Sequence, residues 1–482
     1  MAGVASPVWA DAPATSLRPQ PRPASGAPAT VRGPDGARLI EAANLGGVVS
    51  YAVMDAATGA VLESHLPDAS LPPASVAKAI TALYALERLG PAFRFGTRVL
   101  ATGPVSAGGI VQGDLVLVGA GDPTLQTDQL GDLVAALATR GIKSVSGRFL
   151  TWDAALPAIE RIAADQPVQV GYNPAISGLN LNFNRVHFEW KRASGGGWGT
   201  TMDARGERFV PAVRMARMQV VTRDAPLYTY AADGMDEDWT VASSALGKGG
   251  SRWLPVRQPT RYVSEVFQTL ARAQGITLPG PVAVATLPLG QQVASVQSGH
   301  LPDVLRDMLR FSTNLTAEAV GLRSSGADDL AASGAAMTAW VRATYRVGNT
   351  HVDHSGLGSA SRVTAADMAR IFAAAWQAKA GLQPILRTIG MRDAKGKVIE
   401  GHPVQVMGKS GTLNFVSALA GHIVPPQGRE LVFAILSGDV ARRDALPEAM
   451  RESPPGGKDW ARRARILQGR LIASWAAAHT QG

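Results

Sequence analysis

The stretch that decides the fold runs from residue 72 to residue 86, PPASVAKAITALYAL. Its Pro-rich start and the apolar positions that follow predict a buried helix. Ser75 and Lys78 lie three positions apart at its start, so their side chains share one face and the amine can reach the hydroxyl. A buried Lys with a lowered pKa can take the proton of a Ser and make that Ser a nucleophile. Taken alone, the pair fits a helix cap at Ser75 and a solvated Lys78 better.

Two downstream motifs shift this balance. Residues 312–314, STN, follow a helical stretch that ends at Phe311, and residues 409–412, KSGT, lie on the first of the terminal strands. With Ser75 and Lys78, they resemble the SxxK, SxN and K[ST]G motifs of the penicillin-recognising serine enzymes, in the same order. The ordered set outweighs the interpretation of each motif as a cap or a surface charge.

Further stretches resemble one branch of these enzymes, the D-alanyl-D-alanine carboxypeptidase/endopeptidase family, which comprises the class C low-molecular-mass penicillin-binding proteins. These stretches are Gly119–Leu125, Asn180–Asn184, Ala317–Glu318, Ser355–Leu357 and Ala418–Gly421. The resemblance covers residues 47 to 440, nearly the whole folded chain. An interval of 237 residues separates Ser75 from Ser312, and in this family that interval holds inserted β domains.

The chain departs from the family pattern at two positions. Ser410 replaces the commoner Thr but keeps the hydroxyl, so we expect carboxylate binding to survive. His354 lies where the family has Gly in its Asp-Gly-Ser-Gly-Leu stretch, which we expect to alter a loop.

The resemblance implies a role for each residue that carries proton chemistry. Ser75 would attack the carbonyl of the penultimate D-Ala, with Lys78 as its base. Ser312 would relay the proton towards the leaving D-Ala amine, and Asn314 would hold the peptide amide. Water would then hydrolyse the acyl-enzyme.

The resemblance also implies how the substrate is bound. Lys409 would contribute positive potential for the terminal carboxylate, which Ser410 would bind as well. The backbone N–H groups of Ser75 and Thr412 would form the oxyanion hole. The strand containing Lys409, Ser410, Gly411 and Thr412 would pair with the extended peptide. No metal and no organic cofactor is implied.

The distribution of predicted strands and helices along the chain agrees with an insertion into one domain. A predicted hairpin (residues 47–65) and the buried helix come first, short strands dominate between residues 95 and 255, and helices return after residue 259. The fold class implied is α/β, a serine β-lactamase/DD-peptidase-like α/β sandwich domain with a large mainly β insertion. We expect a mobile leader or signal remnant at 1–36, a catalytic domain from 37–95 and 256–482, and two small inserted domains within 96–255.

Composition excludes several classes of protein. Of 482 residues, 46% are hydrophobic and 18% charged, which suits globular domains and not a disordered chain. The net charge of +9 permits an acidic partner, but no dense basic run is interleaved with aromatics, which disfavours nucleic acid. The absence of Cys excludes disulfides, thiolate metal sites and Fe–S clusters. The stretch His351-Val352-Asp353-His354 could suggest a metal cluster, but it lies in a Gly/Ser loop with no further ligand in sight, so we expect no metal.

The two ends of the chain leave alternatives open. Residues 8–10 before Asp11 resemble the end of a signal peptide, yet the first basic residue is Arg18, so the start is incomplete or the segment is an Ala/Pro-rich tail. No window has the ~18–20 apolar residues of a membrane-spanning helix. The last predicted helix, residues 460–478, is basic and amphipathic. It could lie weakly on an anionic membrane, although packing against the terminal sheet is favoured.

These observations lead to one expected function and two rivals. We expect a periplasmic serine DD-peptidase that acts on peptidoglycan stem peptides and is acylated by β-lactam antibiotics. The rivals are a β-lactamase or esterase on the same fold, and a non-catalytic peptidoglycan-binding scaffold. The sequence leaves open the balance of carboxypeptidase and endopeptidase action, the residue preferred at the third peptide position, and the oligomeric state.

Overall fold

A computed structural model describes residues 36–234, 236–393 and 397–479. Of the expected leader, only Gly36 is among the described residues. The described part of the chain forms ten α-helices: α1 Gly36–Ala43, α2 Ala77–Leu89, α3 Thr127–Thr139, α4 Pro259–Ala273, α5 Leu301–Phe311, α6 Asn314–Ser325, α7 Leu330–Tyr345, α8 Ala365–Gln377, α9 Val440–Asp444 and α10 Gly457–His479.

The described residues also form nineteen β-strands. They are β1 Val48–Asp55, β2 Val61–His65, β3 Gly96–Ala101, β4 Ile110–Val111, β5 Leu115–Gly119, β6 Ser144–Val145, β7 Phe149–Trp152, β8 Arg185–Arg192, β9 Trp198–Asp203, β10 Ala216–Val221, β11 Tyr228–Asp233, β12 Asp236–Ala242, β13 Gly249–Pro255, β14 Pro281–Ala283, β15 Gln291–Gln297, β16 Arg387–Ile389, β17 Gln405–Leu413, β18 Val416–Val424 and β19 Leu431–Gly438.

A six-stranded sheet joins the two ends of the chain. Its strand order is β16-β17-β18-β19-β1-β2, and all neighbouring strands are antiparallel. The N-terminal hairpin therefore extends the C-terminal meander, because β1 pairs with β19 along its whole length, from Val48 opposite Gly438 to Asp55 opposite Leu431. Strand β17, which carries the KSGT motif, has β16 beside it only as far as Gly408.

Helices cover both faces of this sheet. Every residue of β19 is buried. Successive side chains of a strand point to opposite faces, so Leu431, Phe433 and Ile435 pack with α10, and their alternates pack in the core that contains α2, α5, α7 and α8. Burial on both sides explains why the strand reads as a continuous apolar run, and it confirms the predicted α/β sandwich.

The last helix packs on the sheet, as favoured from the sequence. Trp460, Leu467, Leu471 and Trp475 of α10 are all at most 1% exposed and lie in the core shared with β18 and β19. The apolar face that a membrane would need is therefore already covered. No helix in the described ranges combines the length and apolar composition that crossing a bilayer requires.

The middle of the chain has its own core. A five-stranded sheet of order β14-β7-β5-β3-β15 packs with α3 and α4, and two three-stranded sheets, β13-β8-β9 and β10-β12-β11, share the same hydrophobic cluster. Helix α4 and strands β14 and β15 lie beyond residue 255, yet they belong to this core. We therefore propose that the inserted unit extends from about residue 96 to residue 297, about 40 residues past the boundary expected from sequence texture.

One predicted strand is shorter than expected. Residues 180–189 read as a strand, but the strand begins only at Arg185, because Asn182, Phe183 and Asn184 all have φ between 49° and 58°. Asn tolerates this left-handed conformation. The Asn182 amide holds Thr127, and the Asn184 amide accepts a bond from the Leu181 N–H group. These Asn side chains are structural.

Candidate active site

Ser75 lies in a short 3-10 helix, Ala74–Val76, that leads directly into α2. No side chain caps the start of either helix, so the interpretation of Ser75 as an ordinary cap is wrong. Its hydroxyl instead contacts Lys78, whose Nζ lies 3.0 Å from Ser75 Oγ. Lys78 is fully buried, so it is not a solvated helix residue either.

The partners of Lys78 define what its amine can do. Besides Ser75 Oγ, Nζ donates to Asn314 Oδ1 at 2.7 Å and to the Ser355 carbonyl at 2.8 Å. A neutral amine has two N–H groups and one lone pair. Two of the three partners are permanent acceptors, and only the Ser75 hydroxyl can donate. A neutral Lys78 therefore has its lone pair directed at the proton of Ser75.

Burial moves the pKa of Lys78 towards neutrality. The apolar surroundings of the amine lower that pKa from 10.5 to about 8, although the carboxylates Glu318 and Asp353 oppose the shift. Desolvation disfavours the charged form of an amine. Lys78 is thus partly neutral near pH 7, as the base predicted from the sequence has to be.

The second motif forms the turn between α5 and α6. Ser312 ends α5 in a left-handed conformation, with φ 60°, and Asn314 begins α6. The Asn314 side chain donates through Nδ2 to the Tyr172 carbonyl at 2.8 Å while Oδ1 accepts from Lys78. These two bonds fix the orientation of the amide.

The third motif brings a second buried cation to the site. Lys409 is 1% exposed, and its Nζ donates to Ser312 Oγ at 3.0 Å and to the Ser410 carbonyl at 2.5 Å. Burial lowers its pKa well below the usual value, and the positive charges of Lys78 and Arg387 add to this effect. A carboxylate that entered the site would favour the charged form of Lys409 again.

Strand β17 lies against the start of α2. A Cβ placed on Gly411 would lie 2.7 Å from the Ser75 backbone nitrogen and 2.9 Å from the Pro73 carbonyl oxygen. Such distances are too short for any side chain, so only Gly allows the two backbones to approach this closely. The Ser75 amide and the KSGT strand, from which the oxyanion hole was expected, are therefore neighbours.

Most of the predicted residues meet at one cleft, but Ser410 and Gly411 line a neighbouring pocket instead. Ser75, Ser312, Asn314 and Thr412 line a cleft of about 410 Å³, and Lys78 and Lys409 contact its walls from beneath. Ser410 lines a neighbouring pocket of about 180 Å³ between β17 and α10, which Gly411 and Thr412 also line. Ser410 Oγ accepts a hydrogen bond of 2.7 Å from Arg387 Nη2.

Gly321 on the neighbouring helix α6 leaves room for the side chain of His354. Its ring is fully buried, stacks parallel to Tyr84, and lies with Nε2 2.6 Å from Ser333 Oγ. A Cβ on Gly321 would lie 2.1 Å from the ring. Burial lowers the pKa of His354 to about 3, so this histidine is neutral and structural. The described residues contain no group of three His, Cys, Asp or Glu side chains suited to a metal.

Two buried carboxylates beneath Lys78 were not assigned a role from the sequence. Glu318 accepts hydrogen bonds from the His354 and Ser355 N–H groups, and Asp353 accepts from the N–H groups of two glycines in the same loop. Burial raises the pKa of both. A signal was available, because Glu318 follows Asn314 by four positions and so lies on the same face of α6.

Comparison with known proteins identifies the family to which the chain belongs. Residues 37–453 match the D-Ala-D-Ala carboxypeptidase 3 (S13) family. The chain belongs to this family. Its expected enzyme class, a serine-type D-Ala-D-Ala carboxypeptidase, is therefore confirmed at the level of the S13 family.

Individual relatives and a solved structure are similar to most of this chain. A D-alanyl-D-alanine carboxypeptidase of Actinomadura sp. (strain R39) is 28% identical over 94% of this chain and 90% of its own length. A D-alanyl-D-alanine carboxypeptidase of Haemophilus influenzae is 26% identical over 75% of this chain and 79% of its own length. The crystal structure of penicillin binding protein 4 from Haemophilus influenzae covers 91% of this chain and 99% of its own, with a TM-score of 0.72 and 19% identity. This likeness confirms the predicted fold class.

Proposed function

We propose that this chain is a periplasmic serine DD-peptidase that cleaves peptides ending in D-Ala-D-Ala through an acyl-enzyme on Ser75. The observation that carries the proposal is the contact of Lys78 with Ser75 Oγ at 3.0 Å, with the two remaining partners of the buried amine both permanent acceptors. This arrangement suits a base that removes the Ser75 proton. Membership of the S13 family and the name of its relatives support the D-Ala-D-Ala substrate.

Acylation would follow from the positions of four groups. Neutral Lys78 takes the hydroxyl proton as Ser75 Oγ forms a bond to the carbonyl carbon of the penultimate D-Ala. The backbone N–H groups of Ser75 and Thr412 stabilise the oxyanion, a contribution whose loss typically costs ~3–4 kcal/mol. The tetrahedral intermediate then collapses and the peptide C–N bond breaks. The leaving amine takes a proton that passes from Lys78 through the Ser312 hydroxyl.

The far side of the cleft would hold the terminal carboxylate. Lys409 would supply positive potential there and the Thr412 hydroxyl a hydrogen-bond donor, while Ser410 would reach the carboxylate from the neighbouring pocket, which Thr412 also lines. Arg387 was not predicted as a site residue, yet it donates to Ser410 Oγ. This bond occupies an acceptor position and leaves the Ser410 proton free for an anion. We propose that Arg387 orients Ser410, with Asn314 holding the peptide amide.

Deacylation would return the enzyme to its starting state. A water molecule attacks the ester carbonyl and gives a proton to Lys78. The C–O bond to Ser75 then breaks, Ser75 Oγ takes that proton back from Lys78, and the peptide leaves as its carboxylic acid. Glu318 is fully buried and is held by two backbone N–H groups. It is therefore not available as a separate activator of water at the cleft, which favours slow turnover of a β-lactam adduct over β-lactamase action.

Covalent labelling tests the proposal. A fluorescent penicillin should attach to Ser75 in the wild-type chain, with the labelled peptide identified by mass spectrometry, and should not attach to a Ser75→Ala variant. D-Ala should be released from a stem pentapeptide. Rapid release of hydrolysed penicillin would identify a β-lactamase instead, and folded protein with neither adduct nor D-Ala release would identify a scaffold. A crystal structure of penicillin binding protein 4 from Haemophilus influenzae complexed with a β-lactam supports the choice of probe.

Cross-linked and uncross-linked muropeptides distinguish the two peptidase activities. Both reactions use the same nucleophile and differ in what fits around it. Release of free D-Ala from the uncross-linked substrate identifies carboxypeptidase action, and conversion of dimers to monomers identifies endopeptidase action. The Ser75→Ala variant is the control for both.

A further inference from the structure

A buried arginine at the end of the cleft has no hydrogen-bond or ion-pair partner for its side chain within the described ranges. Arg443, on α9, lines the same cleft as Ser75 and is only 9% exposed. Among the residues that the structure describes, no group forms a hydrogen bond or an ion pair with its guanidinium. A guanidinium carries five N–H donors. Buried charges are normally paired, so this one is expected to meet its partner in a bound molecule.

The electrostatic surroundings of Arg443 favour an anion. Burial lowers its pKa, and the positive charges of Arg362 and Arg451 lower it further, whereas Asp165 and Asp444 act in the opposite direction. Neither aspartate lies within ion-pair distance in the described part of the chain. An entering anion would relieve both the desolvation of the guanidinium and the repulsion from its neighbours.

Other residues around this end of the cleft add to its excess of positive charge. Arg451 and Lys458 also line the cleft. Glu452 is the one carboxylate among the described lining residues, and it is already held by Arg252 Nη2 at 2.9 Å and by Gln169 Nε2 at 2.5 Å. The cleft therefore presents cations with which no carboxylate of the described residues forms an ion pair.

We propose that Arg443 binds a carboxylate of the acyl-donor peptide, carried by one of the two residues that precede D-Ala-D-Ala. This inference rests on the proposed function. The terminal carboxylate of the leaving D-Ala is assigned to Lys409 and Ser410, so a second anion site in the cleft faces the part of the peptide that stays on the enzyme. Arg suits this task because its planar fork can bind both oxygens of a carboxylate.

Matched peptides test the inference and locate the carboxylate. Three tetrapeptides ending in D-Ala-D-Ala are compared: one with free side-chain carboxylates at both preceding residues, and two in which one or the other is amidated. We expect wild-type kcat/KM to fall at least about tenfold for one amidated peptide. The peptide that is affected identifies which residue contacts Arg443. Equal kcat/KM for all three peptides would overturn the inference, whatever the variants show.

Two variants assign the effect to Arg443. Arg443→Met should reduce the preference for the free carboxylate towards 1, whereas Arg462→Met, which removes the same charge from an exposed position of α10, should retain it. An undiminished preference in Arg443→Met would overturn the inference. Labelling of Arg443→Met by fluorescent penicillin at Ser75 confirms that the variant is folded. If the wild-type chain itself were not labelled and released no D-Ala, the proposed function would fail independently of Arg443.

Discussion

The ionisation of Lys78 makes acylation of Ser75 depend on pH in a defined direction. The neutral amine is the active form, so the acylation rate should rise with pH and level off above the pKa. A Lys with the ordinary pKa of 10.5 is neutral in about 0.03% of molecules at pH 7. The lowered value of about 8 makes the neutral fraction roughly 300 times larger. Burial of Lys78 is therefore the main reason why a useful fraction of its amine is neutral at pH 7.

The size of the effect follows from the same pKa. Between pH 6 and pH 8 the neutral fraction grows from about 1% to about 50%, so the second-order rate constant for acylation should increase about 50-fold. The assay follows covalent labelling of Ser75 by a fluorescent penicillin at fixed times across this range. Spontaneous hydrolysis of the label is measured separately without enzyme.

A variant and a refuting result complete this test. Lys78→Met keeps an unbranched side chain that ends where Lys has Cε, and it has no amine, so labelling should fall about 10²- to 10⁴-fold, the usual contribution of a general base, and its rise with pH should disappear. A wild-type rate that stays constant or falls between pH 6 and pH 8 would refute the reasoning. It would mean that the charged amine is the active form, or that another group removes the proton.

Three further predictions address the surroundings of the site. Arg387→Ala should raise KM for a substrate with a free terminal carboxylate about tenfold and have little effect on the corresponding amide, because Ser410 loses its orientation and the anion loses a nearby charge; equal effects on both substrates would argue against this role. Glu318→Gln should cost about 1–3 kcal/mol of unfolding free energy in urea, because Gln offers only one acceptor oxygen to two backbone N–H groups; an unchanged midpoint would contradict it. Gly321→Ala should destabilise the chain by more than about 1–3 kcal/mol through its clash with the ring of His354, and adding His354→Gly should recover most of that loss in thermal unfolding; purely additive effects would refute the proposed contact.

The residues of the site were largely predictable because they occur in short ordered motifs. Ser75 and Lys78 are separated by one helical turn, so their contact follows from helix geometry alone. The approach of Lys409 to Ser312 does not follow in this way, because it depends on how β17 packs against the end of α5. Only the resemblance to a family linked those motifs before the structure placed them together.

Residues that act through tertiary contacts escaped sequence analysis. Arg387 lies on a three-residue strand and Arg443 on a five-residue helix, and neither carries a recognisable pattern. The position of Arg387 at the pocket beside β17 and that of Arg443 at the cleft depend on chain folding around the six-stranded sheet. The proposed end of the insertion differs from the expected residue 255 for a related reason, because the periodicity of α4 shows that it is an amphipathic helix but not which core its apolar face joins.

The pairing of the first strand with the last has a consequence for synthesis of the protein. Ser75 leaves the ribosome 334 residues before Lys409, and β1 gains β19 as a neighbour only when residues 431–438 have been translated. A nascent chain therefore carries its nucleophile long before the second cation arrives to complete the catalytic centre. Products of premature termination before Lys409 would lack one of the three motifs of the site, so the order of the motifs along the gene itself restricts hydrolase activity to chains translated beyond that point.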